Sequence, residues 1–323
     1  MKELINKNPL VYIVLPCYNG EKYLLEQLMS IYYQNYTNWY LIFVNDWSTD
    51  NSENIIRDWI SHYNLHEKVR VINKKNWGVM TAVQRWLEEV KSICDIKNTN
   101  SLISYCDADD IWTRDKLKIQ VEYMQKHPEC DLSYHDMSVT DENGVIKKKY
   151  FLKKRWPNRE KKWFLYLAIM WNYISSIEML FKAKYIDKIL PMAISIPRIH
   201  QAQDYWTALV LLLLEANIQF IDIPLAYYRR WQISLQSSLK NIDIINRNEN
   251  YMKYLYSLRD RFPEKDISYA IKFNEDFHIN WTKKKYSLVH KLFLTLFKYP
   301  QIFYIIVKVF LWRLFKFWNV KLL

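Results

Sequence analysis

Short apolar runs alternate with segments of helical periodicity over the first third of the chain, and this alternation constrains the fold more than any other feature. The runs are rich in β-branched residues, which is typical of buried strands. They are Leu10–Leu15, Tyr40–Val44, Val69–Ile72 and Leu102–Tyr105. The spacing of apolar residues between them predicts helices over Glu21–Tyr33, Ser52–Tyr63 and Gly78–Val90. Strands that alternate with helices form a mostly parallel sheet with helices on both faces, so the sequence predicts an α/β fold.

Polar clusters follow three of the predicted strands at the point where each strand ends. They are Pro16–Gly20 after the first strand, Asn45–Asp46 after the second and Asp107–Asp110 after the fourth. The carboxyl ends of parallel strands lie at one edge of the sheet, and ligands of such sheets bind beyond that edge. We therefore expect one binding site to which all three clusters contribute.

The last cluster contains three carboxylates within four positions, at Asp107, Asp109 and Asp110. Like charges this close are unfavourable unless a cation offsets them or one carboxylate is protonated. Hard oxygen ligands favour Mg²⁺ or Mn²⁺, and Mg²⁺ is usually held by one or two carboxylates together with substrate phosphates. A solvated acidic turn before the helix that follows Trp112 explains the same residues equally well, so both interpretations stay open at this point.

Composition excludes some classes of phosphate-binding protein and indicates an anionic partner. The 323 residues include only 3 glycines, which are too few for a glycine-rich phosphate loop. The formal net charge of +12 is typical of proteins that bind nucleic acid, an acidic membrane surface or a phosphorylated ligand. Because no nucleic-acid-binding motif is present, we expect no nucleic-acid partner.

Cysteine usage and the first residues favour a cytoplasmic protein. The 4 cysteines form no CxxC pair and no metal-ligand spacing, which is typical of thiols in a reducing compartment. Met1–Pro9 contains no apolar signal region, and no run reaches the ~18–20 apolar residues of a membrane-spanning helix.

Four ordered motifs resemble those of the family 2 glycosyltransferases. They are VLPCYNGEKYL from Val14, LIFVNDWSTDNS from Leu41, the turn Asn76–Gly78, and SYCDADDIWTRDKL from Ser104. The last motif is similar to a CDxDDIW subgroup of rhamnosyltransferase-like enzymes of bacterial surface polysaccharides. The resemblance is dense over residues 11–145 and thinner to Tyr228. It implies a GT-A fold, which is Rossmann-like with a mostly parallel sheet flanked by helices.

For the donor side, the resemblance implies a dTDP- or UDP-linked sugar and a Mg²⁺ or Mn²⁺ ion that assists departure of the diphosphate. The donor contacts that it implies are Pro16, Tyr18, Asn19, Asp46, Asn76 and Asp107. The implied metal ligands are Asp107 and Asp109, with Asp110 behind them. Asn45, Trp47 and Gln84 depart from the family's pattern, which affects the identity of the donor rather than the fold.

For the acceptor side, the resemblance implies an inverting reaction in which Asp204 of the sequence QAQDYW is the catalytic base. The alternative for Asp204 is the N-cap of the helix that begins near Tyr205, a position that Asp suits well. Arg229 or Arg230 would reach the diphosphate, or would form a solvated basic turn. The implied acceptor is a glycan, carried on a lipid, in cell-surface polysaccharide synthesis. The alternatives are a nucleotidyltransferase and an inactive scaffold with the same fold.

A change in composition predicts two domains. Residues 1–240 would form the catalytic domain, with a nucleotide-sugar half over 1–145 and an acceptor half over 146–240, and residues 241–323 a helical extension. After Pro300, aromatic and apolar residues are interspersed with Lys308, Arg313, Lys316 and Lys321. This pattern favours a helix lying in an anionic membrane interface, on the inner face of the plasma membrane, although a packed helix or a dimer surface is also compatible.

Overall fold

A computed structural model describes residues 8–75, 78–93, 100–151, 174–192, 202–230, 254–262 and 271. The chain divides into two compact units, Met1–Leu239 and Lys240–Leu323. The predicted division of the first unit into a donor half and an acceptor half stays a prediction.

Four parallel strands form the first half of the sheet. They are β1 (Val11–Cys17), β2 (Trp39–Asn45), β3 (Val69–Asn73) and β4 (Leu102–Tyr105), in the spatial order β3-β2-β1-β4. In register, Val11 lies opposite both Trp39 and Leu102, so the three central strands end at one edge. These are the four strands that the sequence predicts, and their apolar runs are buried because helices cover both faces.

Helices connect these strands and bury one face each. They are α1 (Leu24–Tyr32), α2 (Ser52–His62), α3 (Val79–Ile93) and α4 (Lys116–Lys126). In α1 the buried side chains include Leu24, Leu28 and Ile31, which recur at intervals of three and four residues as a helix requires. The first three helices begin and end within about three residues of the prediction.

The second half of the sheet is mixed rather than parallel. Its strands are β5 (Ile111–Trp112), β6 (Leu132–Thr140), β7 (Ile146–Lys148), β8 (Leu180–Lys182) and β9 (Ile218–Arg229). Strand β8 is antiparallel to both β4 and β6, and β6 is parallel to β9. Strand β5 pairs antiparallel with β9, and β7 pairs antiparallel with β6. The α/β architecture is as predicted, and the mostly parallel arrangement describes its first half.

Strand β6 shows why the sequence pattern does not reveal this half. All nine of its residues are buried, although five of them are Ser, His, Asp or Thr. The carboxylate of Asp136 accepts the backbone N–H groups of Met137 and Phe151, each at 2.8 Å. Hydrogen bonds of this kind make burial of polar residues tolerable, and they remove the apolar signature of a strand.

Two further helices of the first unit lie within the described residues, α5 (Ile186–Ile189) and α6 (Gln203–Leu213). Helix α6 begins about two residues before the predicted start near Tyr205, and nearly all of its residues are buried. The indole N–H of Trp206 donates to the carbonyl oxygen of Ile189 at 2.8 Å, which joins the two helices.

In the second unit, residues 254–261 form a helix in which Tyr254, Leu255 and Leu258 are buried. Within the described ranges, no helix is long and apolar enough to cross a membrane. The predicted interfacial segment after Pro300 lies outside the described residues, as do Asn76 and Trp77.

A fully buried lysine joins the two halves of the sheet. The ammonium of Lys116 donates to Ser104 Oγ at 3.1 Å and to Gln120 Oε1 at 2.8 Å, and lies 4.1 Å from the centre of the Trp112 ring. Gln120 in turn donates to the carbonyl oxygen of Glu178 at 3.0 Å. Burial lowers the pKa of Lys116 from its ordinary value of 10.5 to about 7.

This pKa predicts a pH dependence of stability. Between pH 7 and 10.5 the unfolded chain binds more protons at Lys116 than the folded chain does, so the free energy of unfolding rises with pH. The contribution of Lys116 is up to ~1.4 kcal/mol per pH unit. Lys116→Met should lower the slope of the unfolding free energy against pH, measured by urea unfolding between about pH 7.5 and 8.5, because the cysteines that also titrate there are the same in both proteins. Lys118→Met, an exposed lysine on the same helix, should keep the wild-type slope, and equal slopes for all three proteins would contradict the account.

Candidate functional site

The turn after β1 is fastened to the turn after β2. The N–H of Asn19 donates to Ser48 Oγ at 3.0 Å, and its side-chain oxygen accepts the N–H of Thr49 at 2.8 Å. A Cβ at Gly20 would lie 2.8 Å from the sulfur of Cys17, closer than real Cβ contacts, so this position requires glycine. The predicted donor residues Pro16, Tyr18 and Asn19 are thereby held next to Asp46.

Two aromatic side chains are exposed beside this pair of turns. Tyr18 is 52% exposed and Trp47 is 61% exposed. Trp47 has a φ of 66°, a conformation that side-chain-bearing residues rarely adopt and that is common at functional turns. Exposed aromatic faces at a strand end can stack on a planar base.

Asp46 is buried at the end of β2 and already has protein partners. Its carboxylate contacts the ammonium of Lys74 and accepts the N–H of Gly78 at 3.1 Å. Lys74 also donates to Thr81 Oγ1 at 3.0 Å, so both residues brace the start of α3. A nucleotide that binds Asp46 would share it with Lys74, a residue that sequence reasoning did not identify because it lies in no motif.

The acidic turn after β4 concentrates negative charge. Asp107 and Asp109 are partly buried and Asp110 is fully buried. Burial, followed by the charge of Asp109, raises the pKa of Asp107 to about 7, although a hydrogen bond from the hydroxyl of Ser176 opposes this shift. This turn is no solvated loop, because its carboxylates are partly removed from water.

A divalent cation fits this donor set. The carboxylates of Asp107 and Asp109 repel one another, and a bound cation would remove the repulsion. Among the described residues, no group of three or more His, Cys, Asp or Glu side chains is arranged to hold a metal by itself. A pair of carboxylates that is completed by substrate phosphates is the usual arrangement for Mg²⁺.

Arg229 contacts the acidic turn through both its backbone and its side chain. Its backbone N–H donates to Asp110 Oδ1 at 3.0 Å, and its side chain is buried. The guanidinium contacts the carbonyl oxygens of Asp109 at 3.1 Å and Glu142 at 2.8 Å, the carboxylate of Glu26, and the ring of Tyr23 at 4.2 Å. Because its side chain is buried, Arg229 does not belong to a solvated basic turn, and its contact with the diphosphate stays a prediction.

Asp204 lies in the first turn of α6 and is only 8% exposed. The N-cap of this helix is Ala202, so the N-cap interpretation of Asp204 is wrong. Thr207, one helical turn further on, shares a hydrogen bond of 2.9 Å with the hydroxyl of Tyr105. Since residues three apart lie on one face of a helix, this bond holds Asp204 on the side that faces the end of β4.

The pKa shifts of neighbouring groups agree with this placement of Asp204. The negative charge of Asp204 contributes to the raised pKa of Asp107 and of Tyr105, in both cases after burial, the larger cause. The start of α6 therefore lies near the end of β4. Sequence reasoning identified Asp107 and Asp204 but missed Ser176, Tyr105 and Thr207, because no local pattern marks contacts between distant segments.

A family model and two relatives extend these observations. The model of the family "Glycosyl transferase family 2" matches residues 12–186. TuaG of Bacillus subtilis (strain 168), a glycosyltransferase named for teichuronic acid biosynthesis, is 27% identical over 143 residues, or 44% of this chain and 52% of TuaG. The glycosyltransferase EpsE of the same organism is 31% identical over 142 residues, or 44% of this chain and 48% of EpsE. The match thus spans about half the length of each curated relative.

Among solved structures, S. aureus TarS 1-349 in complex with UDP-GlcNAc has a TM-score of 0.58 with this chain at 15% identity. The alignment covers 84% of this chain and 70% of the TarS chain. At this identity the likeness concerns the fold, and it confirms the predicted GT-A architecture. With the family model matched over more than half of its residues, the chain belongs to glycosyl transferase family 2.

Proposed function

We propose that the protein transfers a sugar, with inversion, from a nucleotide diphosphate donor to a glycan acceptor in a metal-dependent reaction. One observation carries the proposal: the hydrogen bond of 2.9 Å between Tyr105 and Thr207 holds the first turn of α6, and with it Asp204, beside the end of β4. Carboxylates that repel one another are concentrated at functional sites, where a bound cation can offset their charge.

The donor side consists of the turns after β1 and β2. Tyr18 would stack on the base, while Pro16, Asn19 and Asp46 would hold the nucleoside, together with Asn76 of the family motif. Lys74 adds a cation beside Asp46, and we include it among the donor contacts. The complex of TarS with UDP-GlcNAc supports a UDP-linked donor, and a dTDP-linked donor would use the same contacts.

Asp107 and Asp109 would hold Mg²⁺ or Mn²⁺ against the diphosphate. A cation bound there stabilises the negative charge that accumulates on the leaving diphosphate. The hydrogen bond from Ser176 orients the carboxylate of Asp107. Arg229 fixes the backbone of Asp109 and the carboxylate of Asp110, which limits movement of the acidic turn when charge develops on the donor.

Asp204 would remove the proton from the attacking acceptor hydroxyl. In a single in-line displacement the acceptor oxygen forms its bond to the anomeric carbon as the bond to the diphosphate breaks, so the configuration inverts. The proton of the acceptor passes to the carboxylate of Asp204. The Tyr105–Thr207 hydrogen bond sets the position of this base relative to the donor.

The same proposal includes the biological role of the enzyme in the cell. The motif at Asp107–Trp112 favours the subgroup of rhamnosyltransferase-like enzymes, and the relation to TuaG supports a part in surface polysaccharide synthesis. A lipid-linked acceptor would place the reaction at the cytoplasmic face of the membrane. Residues 300–323 would hold the protein there through their aromatic and basic side chains.

Asp109→Asn should weaken Mn²⁺ binding in the presence of UDP by at least about tenfold, because it removes one of two charged ligands. Electron paramagnetic resonance of Mn²⁺ measures this directly. Asp58→Asn, at an exposed position on α2, is the matched control and should bind as the wild type does. Equal Mn²⁺ affinity in all three proteins would refute the metal assignment.

Asp204→Asn should lower kcat by about 10²–10⁴-fold, the usual contribution of a general base. Donor affinity should change little, since the base acts on the acceptor; fluorescence titration with UDP measures it. A collapse of UDP affinity would move Asp204 to the donor site. Retention of anomeric configuration in the product, observed by NMR, would contradict the single displacement.

Truncation before Pro300 should release the protein from anionic liposomes and leave UDP binding intact. A basic residue near an anionic surface contributes ~1 kcal/mol, and each large apolar side chain buried adds about 1.5–3 kcal/mol. Co-sedimentation at low and high salt, for full-length and truncated protein, measures the effect. Full-length protein that stays in the supernatant at low salt would contradict the membrane proposal.

A further inference from the structure

A single 3₁₀ turn, Ser176–Glu178, leads into β8 and reaches the acidic turn. In the antiparallel pairing of β4 with β8, Ile103 lies opposite Phe181. Continued beyond the end of β4, this register brings the acidic turn opposite the 3₁₀ turn. The hydroxyl of Ser176 donates to Asp107 Oδ2 at this point. The 3₁₀ turn therefore supplies the hydrogen bond that orients a proposed metal ligand.

Two hydrogen bonds fix the backbone where the 3₁₀ turn ends. Ser104 Oγ, which accepts from Lys116, donates to the carbonyl oxygen of Met179 at 3.0 Å. Gln120, the other partner of Lys116, donates to the carbonyl oxygen of Glu178 at 3.0 Å. The network around the buried lysine thus holds the end of the turn against β4 and α4.

The side chain of Glu178 holds the start of the same turn. Its carboxyl Oε2 accepts the backbone N–H of Ser175 at 3.1 Å. Glu178 is completely buried, and Ser176 is only 4% exposed. A buried carboxyl is unfavourable unless hydrogen bonds satisfy it, so this bond ties the position of Glu178 to that of the turn. With both ends fixed, the hydroxyl of Ser176 is held at Asp107.

We propose that Glu178 is a positioning residue of the metal site, which acts through Ser176 to fix the carboxylate of Asp107. This inference rests on the proposed function, in which Asp107 is a metal ligand. Mg²⁺ requires near-ideal ligand geometry, and hydrogen bonds to a ligating carboxylate orient it. Loss of such an outer partner usually lowers metal affinity by about 10–100-fold.

A purely structural role for Glu178 predicts a different outcome. Capping of the turn alone would make Glu178 matter for the free energy of unfolding but not for the affinity of the metal. Burial raises the pKa of Glu178 well above its ordinary value of 4.5. A neutral glutamine, whose side-chain oxygen can accept the same N–H bond, should therefore replace it.

The test is Mn²⁺ affinity in the presence of UDP, measured by electron paramagnetic resonance on full-length variants. Ser176→Ala should lower this affinity by about tenfold. Glu178→Leu, which keeps most of the buried volume but no acceptor, should lower it to the same extent, whereas Glu178→Gln should restore it to within about twofold. Ser175→Pro removes the donating N–H instead, at a φ of −85° that suits proline, and should match Glu178→Leu. Glu122→Ala, at an exposed position on α4, should bind as the wild type does.

A double variant separates positioning from general destabilisation. Ser176→Ala combined with Glu178→Leu should bind Mn²⁺ about as weakly as Ser176→Ala alone, because both changes break the same series of contacts. UDP affinity without metal should stay within about twofold of the wild type in every variant. Losses of Mn²⁺ affinity that multiply in the double variant would overturn the inference.

Wild-type Mn²⁺ affinity in folded Glu178→Leu or Ser175→Pro protein would also overturn it, and urea unfolding shows whether each variant is folded. If Glu178→Leu does not fold, Ser175→Pro decides by the same criteria. If both variants bind Mn²⁺ normally while Asp109→Asn does not, the inference fails and the proposed function stands. If Asp109→Asn also binds as the wild type does, the metal assignment of the proposed function fails, and the inference fails with it.

Discussion

The hydrogen bond between Tyr105 and Thr207 joins the end of β4 to α6 across 102 residues of sequence, and the candidate site depends on it. Asp107 follows Tyr105 by two residues, and Asp204 precedes Thr207 by one helical turn. Fixing one pair of side chains therefore fixes the separation between the acidic turn and the proposed base. Both partners are buried, so loss of either would leave an unsatisfied hydroxyl, which favours this register of α6 over a shifted one.

Around this contact, hydrogen bonds from neighbouring residues hold the aspartates of the acidic turn in position. Arg229 fixes Asp110 and the backbone of Asp109, and a hydroxyl from Ser176 binds Asp107. None of these groups removes the mutual repulsion of the carboxylates, since the pKa of Asp107 stays raised. Hydrogen bonds therefore fix the acidic turn, while its carboxylates still repel one another. Binding of a cation together with a diphosphate removes this repulsion.

Sequence patterns predicted the parallel half of the sheet because its strands are continuous apolar runs and its helices have one apolar face. They also predicted that the polar clusters lie at the ends of these strands, since polar residues directly follow the apolar runs. The mixed half escaped prediction because β6 buries polar residues whose hydrogen bonds are satisfied by distant backbone, as at Asp136. The contacts of Arg229 escaped prediction for a related reason: two of its partners, Glu26 and Glu142, are remote in sequence. Interactions between distant segments leave no local periodicity.

The central claim is that the turns after β1, β2 and β4, together with Asp204, form one donor and metal site. Crystals grown with Mn²⁺ and UDP test it most directly through the anomalous scattering of manganese. The account predicts a single manganese peak between the carboxylates of Asp107 or Asp109 and the diphosphate, with the base beside Tyr18 and Asp46. A manganese ion bound away from the acidic turn, or UDP bound away from Asp46, would contradict it.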